Sequence, residues 1–381
     1  MLSNLRNSIL LVCICFAVNA QTINVGLVHK QDITQSKITI LKGEYFVLQG
    51  TDTLFTIKKG QDLFLETAPK KIKVTFKNHI TFLKNIQFSG SKSNDIFSIS
   101  INQNKGNSFI GNLKVSNIET ELQLINSVEL DDYVAGVVEA EAGYNLPPEY
   151  YKLQAVLART YGLKNLNRHQ TEGFDVCNQV HCQAYHHKCS REDIKKAVDA
   201  TAEMVVVDQD LNLIQTVYHS NCGGQTCNSE DVWVEALPYL RSVVDTFCLN
   251  SKLNSWVVRV DKQKVYKKLN WEALMHDSIQ DDFIKICQDS ARIVLKNVNS
   301  LSVTKLRLAL GLKSTYFSVE NDLDNKDTIL IYGKGYGHGV GLCQVGGIEM
   351  ANLGYEYEDM LQFYYQHVFI LNLNSLGVFR K

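Results

Sequence analysis

From Ile23 to about Ser127 the apolar positions follow a short beat. Ile96, Phe97, Ile99 and Ile101 fall in one run of period-two character, and residues 37–48 mix Ile, Thr, Tyr, Phe and Val. That pattern predicts strands, and Thr51-Asp52 and Asn104-Lys105-Gly106-Asn107 mark turns between them. The segment reads as a β-rich platform or binding module.

The beat changes at Asp131. Tyr133, Val137 and Ala140 recur at helical spacing, Asp131 or Asp132 is placed to cap the first turn, and Gly143 is a fitting stop. Pro147 and Pro148 open a second helix that runs to about Asn167. Leu153, Val156, Leu157 and Leu163 occupy one side of it; Gln154, Ala155, Ala158, Arg159 and Gly162 form another, small residues around one cation. Ser190-Arg191-Glu192-Asp193 begins a third helix with a capping-box-like pattern that continues to about Met204. Val205–Val207 and Leu213–His219 read as a hairpin across Asp208–Asn212. Residues 262–275 form an amphipathic helical pattern, and 348–352 and 356–365 also read as helices.

The fold class is therefore α+β: a β-rich N-terminal region, then a mixed α+β core with an insertion. The expected divisions are 1–20, 21–125, 126–250, 251–331 and 332–381, the last completing the core.

Composition narrows the partners. The chain has 381 residues, a formal net charge of −1, 45% hydrophobic residues and four prolines. It is long enough for a substantial core, and it lacks the electrostatic footprint of a nucleic-acid binder. Residues 1–20 read as a secretory signal: Arg6 at the start, an apolar run from Ile9 to Val18, and Val18-Asn19-Ala20 as a small-residue cleavage site. An uncleaved anchor is the alternative. Ten cysteines fall to eight beyond this segment, five of them between Cys177 and Cys227, and an exported chain can oxidise them.

Four stretches carry candidate chemistry. Glu141 falls in the last turn of the first helix, where the helix dipole and Glu139 both disfavour its charged form. An acid held protonated near neutral pH suits protonation of a glycosidic oxygen; a solvated surface carboxylate is the plainer alternative. Arg159, among small residues, is placed to meet a polar substrate or to form a structural ion pair. His169 to Cys189 holds four histidines and three cysteines in 21 residues, a donor set that suits zinc or, in an exported protein, a Cys177–Cys182 disulfide. Gly333 to Gly347 gathers seven glycines around His338 and Gln344, a costly loop to order and so a site-building one. Cys222-Gly223-Gly224 lacks the following Lys-Ser/Thr of a phosphate loop.

In order along the chain these segments resemble the SpoIID/LytB family. Leu130-Asp131-Asp132-Tyr133 with Gly136-Val137-Val138 and Glu141 is similar to its L-E-x-Y-x-x-G-V-V-x-x-E. Gln154-Ala155-Val156 with Ala158-Arg159-Thr160-Tyr161 resembles Q-A-V-A-A-R-T-Y. Asp175-Val176-Cys177 with Cys182-Gln183-Ala184-Tyr185 resembles D-x-C…C-Q-x-Y. Asn221 to Thr226 resembles S-S-G-G-x-T, and Gly335 to Gly341 with Gln344 resembles G-x-G-H-G-V-G-x-x-Q.

The resemblance implies an exported peptidoglycan lytic transglycosylase, acting in the periplasm or cell envelope on glycan strands, with Glu141 as catalytic residue. It implies substrate contacts from Gln154, Arg159, Tyr161, Gln183, Tyr185, Ser220, Gly223, Gly224, Thr226, His338 and Gln344. It also implies zinc at His169, Cys177 and Cys182, with His181 as an alternative imidazole. The LytB side of the family implies the other reading, a non-catalytic glycan-binding protein that stimulates a cell-wall amidase. Three residues depart from the pattern: Cys222 and Cys343 stand where serines are usual, and Ala142 follows Glu141 in place of Met-Pro. A third reading, with Cys222 as nucleophile beside His219 or His338, competes with cysteine pairing.

Overall fold

The computed structural model describes residues 21–28, 31–269, 297–298 and 301–375. The secretory-signal reading of residues 1–20 and Cys287 lie outside those residues, and the helix expected over 262–275 is described as far as Leu269.

Twelve strands build the first part of the chain: β1 Thr22–Leu27, β2 Gln35–Lys42, β3 Glu44–Gln49, β4 Asp52–Lys58, β5 Asp62–Ala68, β6 Lys71–Phe76, β7 His79–Leu83, β8 Asn85–Gly90, β9 Ile96–Ile101, β10 Asn107–Ile110, β11 Asn112–Ile118 and β12 Glu121–Glu129. Alternation explains how they stack. In β2, Ser36, Ile38 and Ile40 are buried while their neighbours are not, and in β6 Ile72, Val74 and Phe76 are the buried set. A strand with one apolar face must cover it. Two sheets do so, ordered β13-β1-β12-β11-β8-β3-β4 and β10-β9-β2-β5-β6-β7, where β13 is Val176–Cys177. Their neighbours are antiparallel apart from β13, which lies parallel to β1. Residues of both sheets belong to one hydrophobic cluster, which continues into the helices that follow.

Strand β12 runs directly into α1 (Leu130–Ala142), so the platform sets where that helix starts. The N-cap is Glu129 and makes no side-chain cap bond, which corrects the expected Asp131 or Asp132 cap: Asp131 instead pairs with Arg159. The stop does fall at Gly143, whose φ of 88° is easiest without a Cβ. Helix α2 (Pro148–Lys164) has Pro148 in its first turn and is buried along most of its length.

Helix α3 spans Glu192–Ala200 and also lacks a side-chain cap, because Ser190 bonds to Glu139 instead. The chain leaves it for a strand, Met204–Val207, that pairs with Phe369–Asn372. The hairpin expected with Leu213–His219 reduces to one bridge, Val207 to Leu213. The C-terminal segment instead pairs with all four residues of that strand.

A second hydrophobic cluster joins α2, the Cys222–Cys248 region and the helices Gln344–Asn352 and Tyr357–Tyr364. A third lies within the stretch read as an insertion. There Ser255–Asp261, Thr328–Lys334 and Tyr316–Asn321 form an antiparallel sheet, and Val265 and Leu306 from two helices share its core.

Candidate functional site

Where α1 ends, its last turn meets a cleft of about 500 Å³. Glu141 lines it, with Tyr161, Arg168, residues 180–183, residues 215–218, Trp233 and His338. The Oε1 atom of Glu141 accepts the Ala184 N–H at 2.8 Å, and the Tyr218 hydroxyl also bonds to Glu141. Burial raises the Glu141 pKa above the ordinary carboxylate range; the Ala184 and Tyr218 bonds and nearby His186 offset this only in part.

The direction agrees with the helix-end argument, but the main cause is burial. Glu139 is not the cause either. It turns to the opposite side, where the Ser190 N–H and hydroxyl donate to it at 2.7 and 2.6 Å. Burial works against its charge, yet those bonds hold its pKa below normal.

His338 closes another side. The Val340 N–H donates to its Nδ1 at 3.1 Å, and its Nε2 lies 2.9 Å from the Tyr218 carbonyl. Those partners assign the proton to Nε2 of a neutral ring. The exposed Trp233 ring lies 5.1 Å from it, centre to centre. The glycine-rich loop can hold His338 there because its backbone runs tight against residues 217–223. At Gly341, with φ of 70°, a Cβ would sit 2.2 Å from the Val217 carbonyl oxygen. Gln344 then begins the next helix, and its side-chain amide donates to the Glu141 carbonyl oxygen at 3.4 Å, serving an acceptor left over at the end of α1.

The cleft thus gathers Glu141, Tyr161, His181, Cys182, Gln183 and His338 among the residues singled out from the sequence, with Gln344 behind Glu141. Gln183 accepts the Tyr133 hydroxyl at 3.2 Å, and Tyr161 accepts from Arg168 at 3.2 Å. The remainder lie elsewhere. Arg159 is fully buried: it pairs with Asp131 at 2.9 Å and donates to the carbonyls of Val198, Thr201 and Met204. Of its two readings, the structural ion pair is the one present.

Gln154 is buried and donates to the Tyr150 hydroxyl. Tyr185 packs in the core against Tyr133 and Gly136, its hydroxyl on Asn126. Thr226 is buried, its hydroxyl accepting the Val243 N–H. Gly223 crosses the backbone of Gly335, Gly224 packs against Leu249, and the Ser220 carbonyl accepts the Val345 N–H. These residues build the walls behind the cleft. Cys222 is buried against Cys248 and Asp245, outside the cleft lining, which leaves the nucleophile reading without a site.

Tyr218, Arg168, Trp233 and the Ala184 N–H were not anticipated. Tyr218 had been read only as part of a strand, and a backbone donor carries no residue signature.

One edge of the cleft is a donor cluster. His169 Nε2 lies 3.4 Å from Cys182 Sγ, and His181 Nδ1 lies 3.6 Å from Cys182 Sγ and 3.8 Å from Cys177 Sγ. All four donor atoms fall within 4.8 Å of one another. Tetrahedral zinc with ordinary Zn–S and Zn–N lengths separates its donors by about 3.4–3.8 Å, so the set fits that ion. Glu172 Oε1 sits 2.6 Å from His169 Nδ1 and aims Nε2 at the sulfurs. The hydrogen bond from Cys182 holds the Cys177 thiol down to about 4, against the effect of burial. Cys177 and Cys182 stand as free thiols in this arrangement, and His181 lies beside the expected three donors.

The family model described as SpoIID: Stage II sporulation protein matches residues 118–207, which span α1, α2 and the donor cluster. An uncharacterized protein of Brachyspira hyodysenteriae is 31% identical over 286 residues, covering 71% of this chain and 74% of its own length. Stage II sporulation protein D of Bacillus subtilis is 28% identical over 275 residues, 65% of this chain and 76% of that protein. The Amidase enhancer of Bacillus subtilis is 27% identical over 284 residues, 60% of this chain but 39% of that protein.

Proposed function

Because this chain belongs to the SpoIID/LytB family, we propose that it cleaves the MurNAc–GlcNAc bond of peptidoglycan glycan strands as a lytic transglycosylase. The observation that carries this reading is Glu141: half-buried, its pKa raised, and the sole carboxylate among the described residues lining the cleft. A glycoside hydrolase ordinarily needs two carboxylates, one of them to activate water or to attack the sugar. A transglycosylase needs one.

Protonated Glu141 gives its proton to the glycosidic oxygen as the C1–O bond breaks. The C6 hydroxyl of MurNAc then bonds to C1, closing a 1,6-anhydro ring, and returns its proton to the Glu141 carboxylate. No water is consumed, and one residue serves as acid and then base. The Ala184 N–H and the Tyr218 hydroxyl fix the carboxyl, and both stabilise it once charged. Trp233 offers an exposed ring at the cleft mouth on which a sugar face can rest.

His169, Cys177, His181 and Cys182 would hold zinc. Four protein donors leave no open position, so the ion supplies a structural cross-link rather than a Lewis acid. What the chain gains is a fixed 177–184 loop, with Ala184 two residues beyond Cys182 and aimed at Glu141.

Action in the cell envelope is consistent with the signal-like start of the sequence. Among the described residues, no helix is long and apolar enough to cross a membrane.

The similarity to the Amidase enhancer supports a second reading, glycan binding that stimulates an amidase. Incubating the protein with purified glycan strands, with and without stem peptides, separates the two. Products lighter by one water than hydrolysis products support the transglycosylase. Intact strands that nonetheless bind, together with faster amidase turnover, support the enhancer and sink the transglycosylase.

A further inference from the structure

Behind the cleft, a second donor cluster is fully enclosed. Cys222 Sγ lies 3.3 Å from Cys248 Sγ and 3.2 Å from Asp245 Oδ2, and Cys343 completes a set whose donor atoms fall within 4.8 Å of one another. All four residues are buried. We propose that Cys222, Asp245, Cys248 and Cys343 hold a second metal ion, a thiophilic divalent cation of the zinc class.

Four observations converge on this. First, Asp245 is completely buried, and its hydrogen-bond partners are the Tyr364 hydroxyl, the Phe247 N–H and Cys222. Among the described residues it pairs with no Lys, Arg or His. A buried carboxylate without a cation calls for a metal or a proton. Second, the set combines three thiols with one carboxylate. A disulfide would consume two sulfurs and leave one thiol beside that carboxylate, whereas a tetrahedral ion uses all four.

Third, backbone donors are already directed at sulfur. The Cys222 and Gly346 N–H groups reach Cys343 Sγ at 3.2 and 3.4 Å, which fixes where that sulfur sits relative to the other donors. Fourth, the spacing suits a single ion and leaves no volume for a multinuclear cluster. Binding would release the thiol protons as three metal–sulfur bonds form, and the Tyr364 hydroxyl at 3.0 Å would hold the carboxylate in place.

Such an ion ties together three segments distant in sequence: the Cys222-Gly223-Gly224 turn, the Asp245–Cys248 loop and the start of the Gln344–Asn352 helix. It would pin Cys343, and through its neighbour Gln344 the end of α1 that carries Glu141. Cys222 and Cys343 are two of the positions where this chain departs from the family pattern. The site stands independently of the transglycosylase reading.

Elemental analysis and native mass spectrometry of the purified protein test the proposal. Two zinc ions per chain are expected. The Cys177→Ser/Cys182→Ser variant, which leaves the enclosed set untouched, should retain one; Asp245→Asn/Cys248→Ser should also retain one, and the combined variant none. Loading the Cys177→Ser/Cys182→Ser protein with Co2+ should give an intense thiolate-to-metal absorption band, a readout that needs no change in the enclosed set. The proposal is overturned if that variant binds no metal while the parent binds one. It is equally overturned if non-reducing peptide mass spectrometry finds a Cys222–Cys248 disulfide. A single zinc that survives Cys177→Ser/Cys182→Ser supports the enclosed site and removes the outer one.

Discussion

The Ala184 N–H meets Glu141 Oε1 at 2.8 Å across 43 residues of sequence. That bond joins the end of α1 to the loop holding the His169, Cys177, His181 and Cys182 donors. Acid strength at Glu141 and order in the donor loop are therefore one structural question.

The raised Glu141 pKa sets a sign for stability. Its folded pKa lies above the unfolded one, so its contribution is fully present below the ordinary carboxylate range and is lost as pH rises through the folded value. Glu141→Gln removes the buried charge while keeping an oxygen for Ala184. The variant is expected to melt above the parent at pH 7, and the gap should close as pH falls below the ordinary carboxylate range. Thermal melts across pH check this; a gap that widens in acid contradicts it.

Arg159→Met should lower stability by about 3 kcal/mol, since it removes a buried cation from its pair and from three carbonyls. Denaturant unfolding measures the loss. KM per folded molecule should stay unchanged; a large rise in KM with little loss of stability would instead place Arg159 on the substrate.

Glu172→Gln should weaken metal affinity at the outer donor set by about 10–100-fold, because Glu172 orients the His169 ring. Competition against a chromophoric chelator reads this directly. Unchanged affinity would mean that His169 does not bind the ion.

Gly341→Ala should cost about 1–3 kcal/mol from its left-handed backbone alone, with more from the Val217 carbonyl 2.2 Å from the added carbon. The His338 side of the cleft should loosen with it, seen as faster hydrogen exchange over residues 335–343. Parent-like exchange there would contradict the tight threading of this loop.

Local signals carried far in this sequence. Helical spacing marked α1 and Gly143 its end, and the density of His and Cys marked the outer donor set, because each depends on residues close in the chain. Long-range partners were not legible in the same way. Val205–Val207 read as half of a hairpin, but its ladder partner, Phe369–Asn372, comes some 160 residues later. Arg159 stayed open between a substrate contact and a structural ion pair because Asp131 and the carbonyls in and after α3 belong to other segments. Ser190 looked like a helix cap, yet the buried Glu139 carboxylate needs it more. Asp245 drew no notice at all: a lone acid in a loop acquires meaning only when Cys222 and Cys343 arrive from far away in sequence.

The most direct measurement is digestion of purified glycan strands by the parent protein and by Glu141→Gln, with products weighed by mass spectrometry. The account predicts 1,6-anhydro-MurNAc ends from the parent and none from the variant, which should remain folded and still bind strands. Anhydro ends formed equally by Glu141→Gln would contradict the assignment of Glu141 as acid and base.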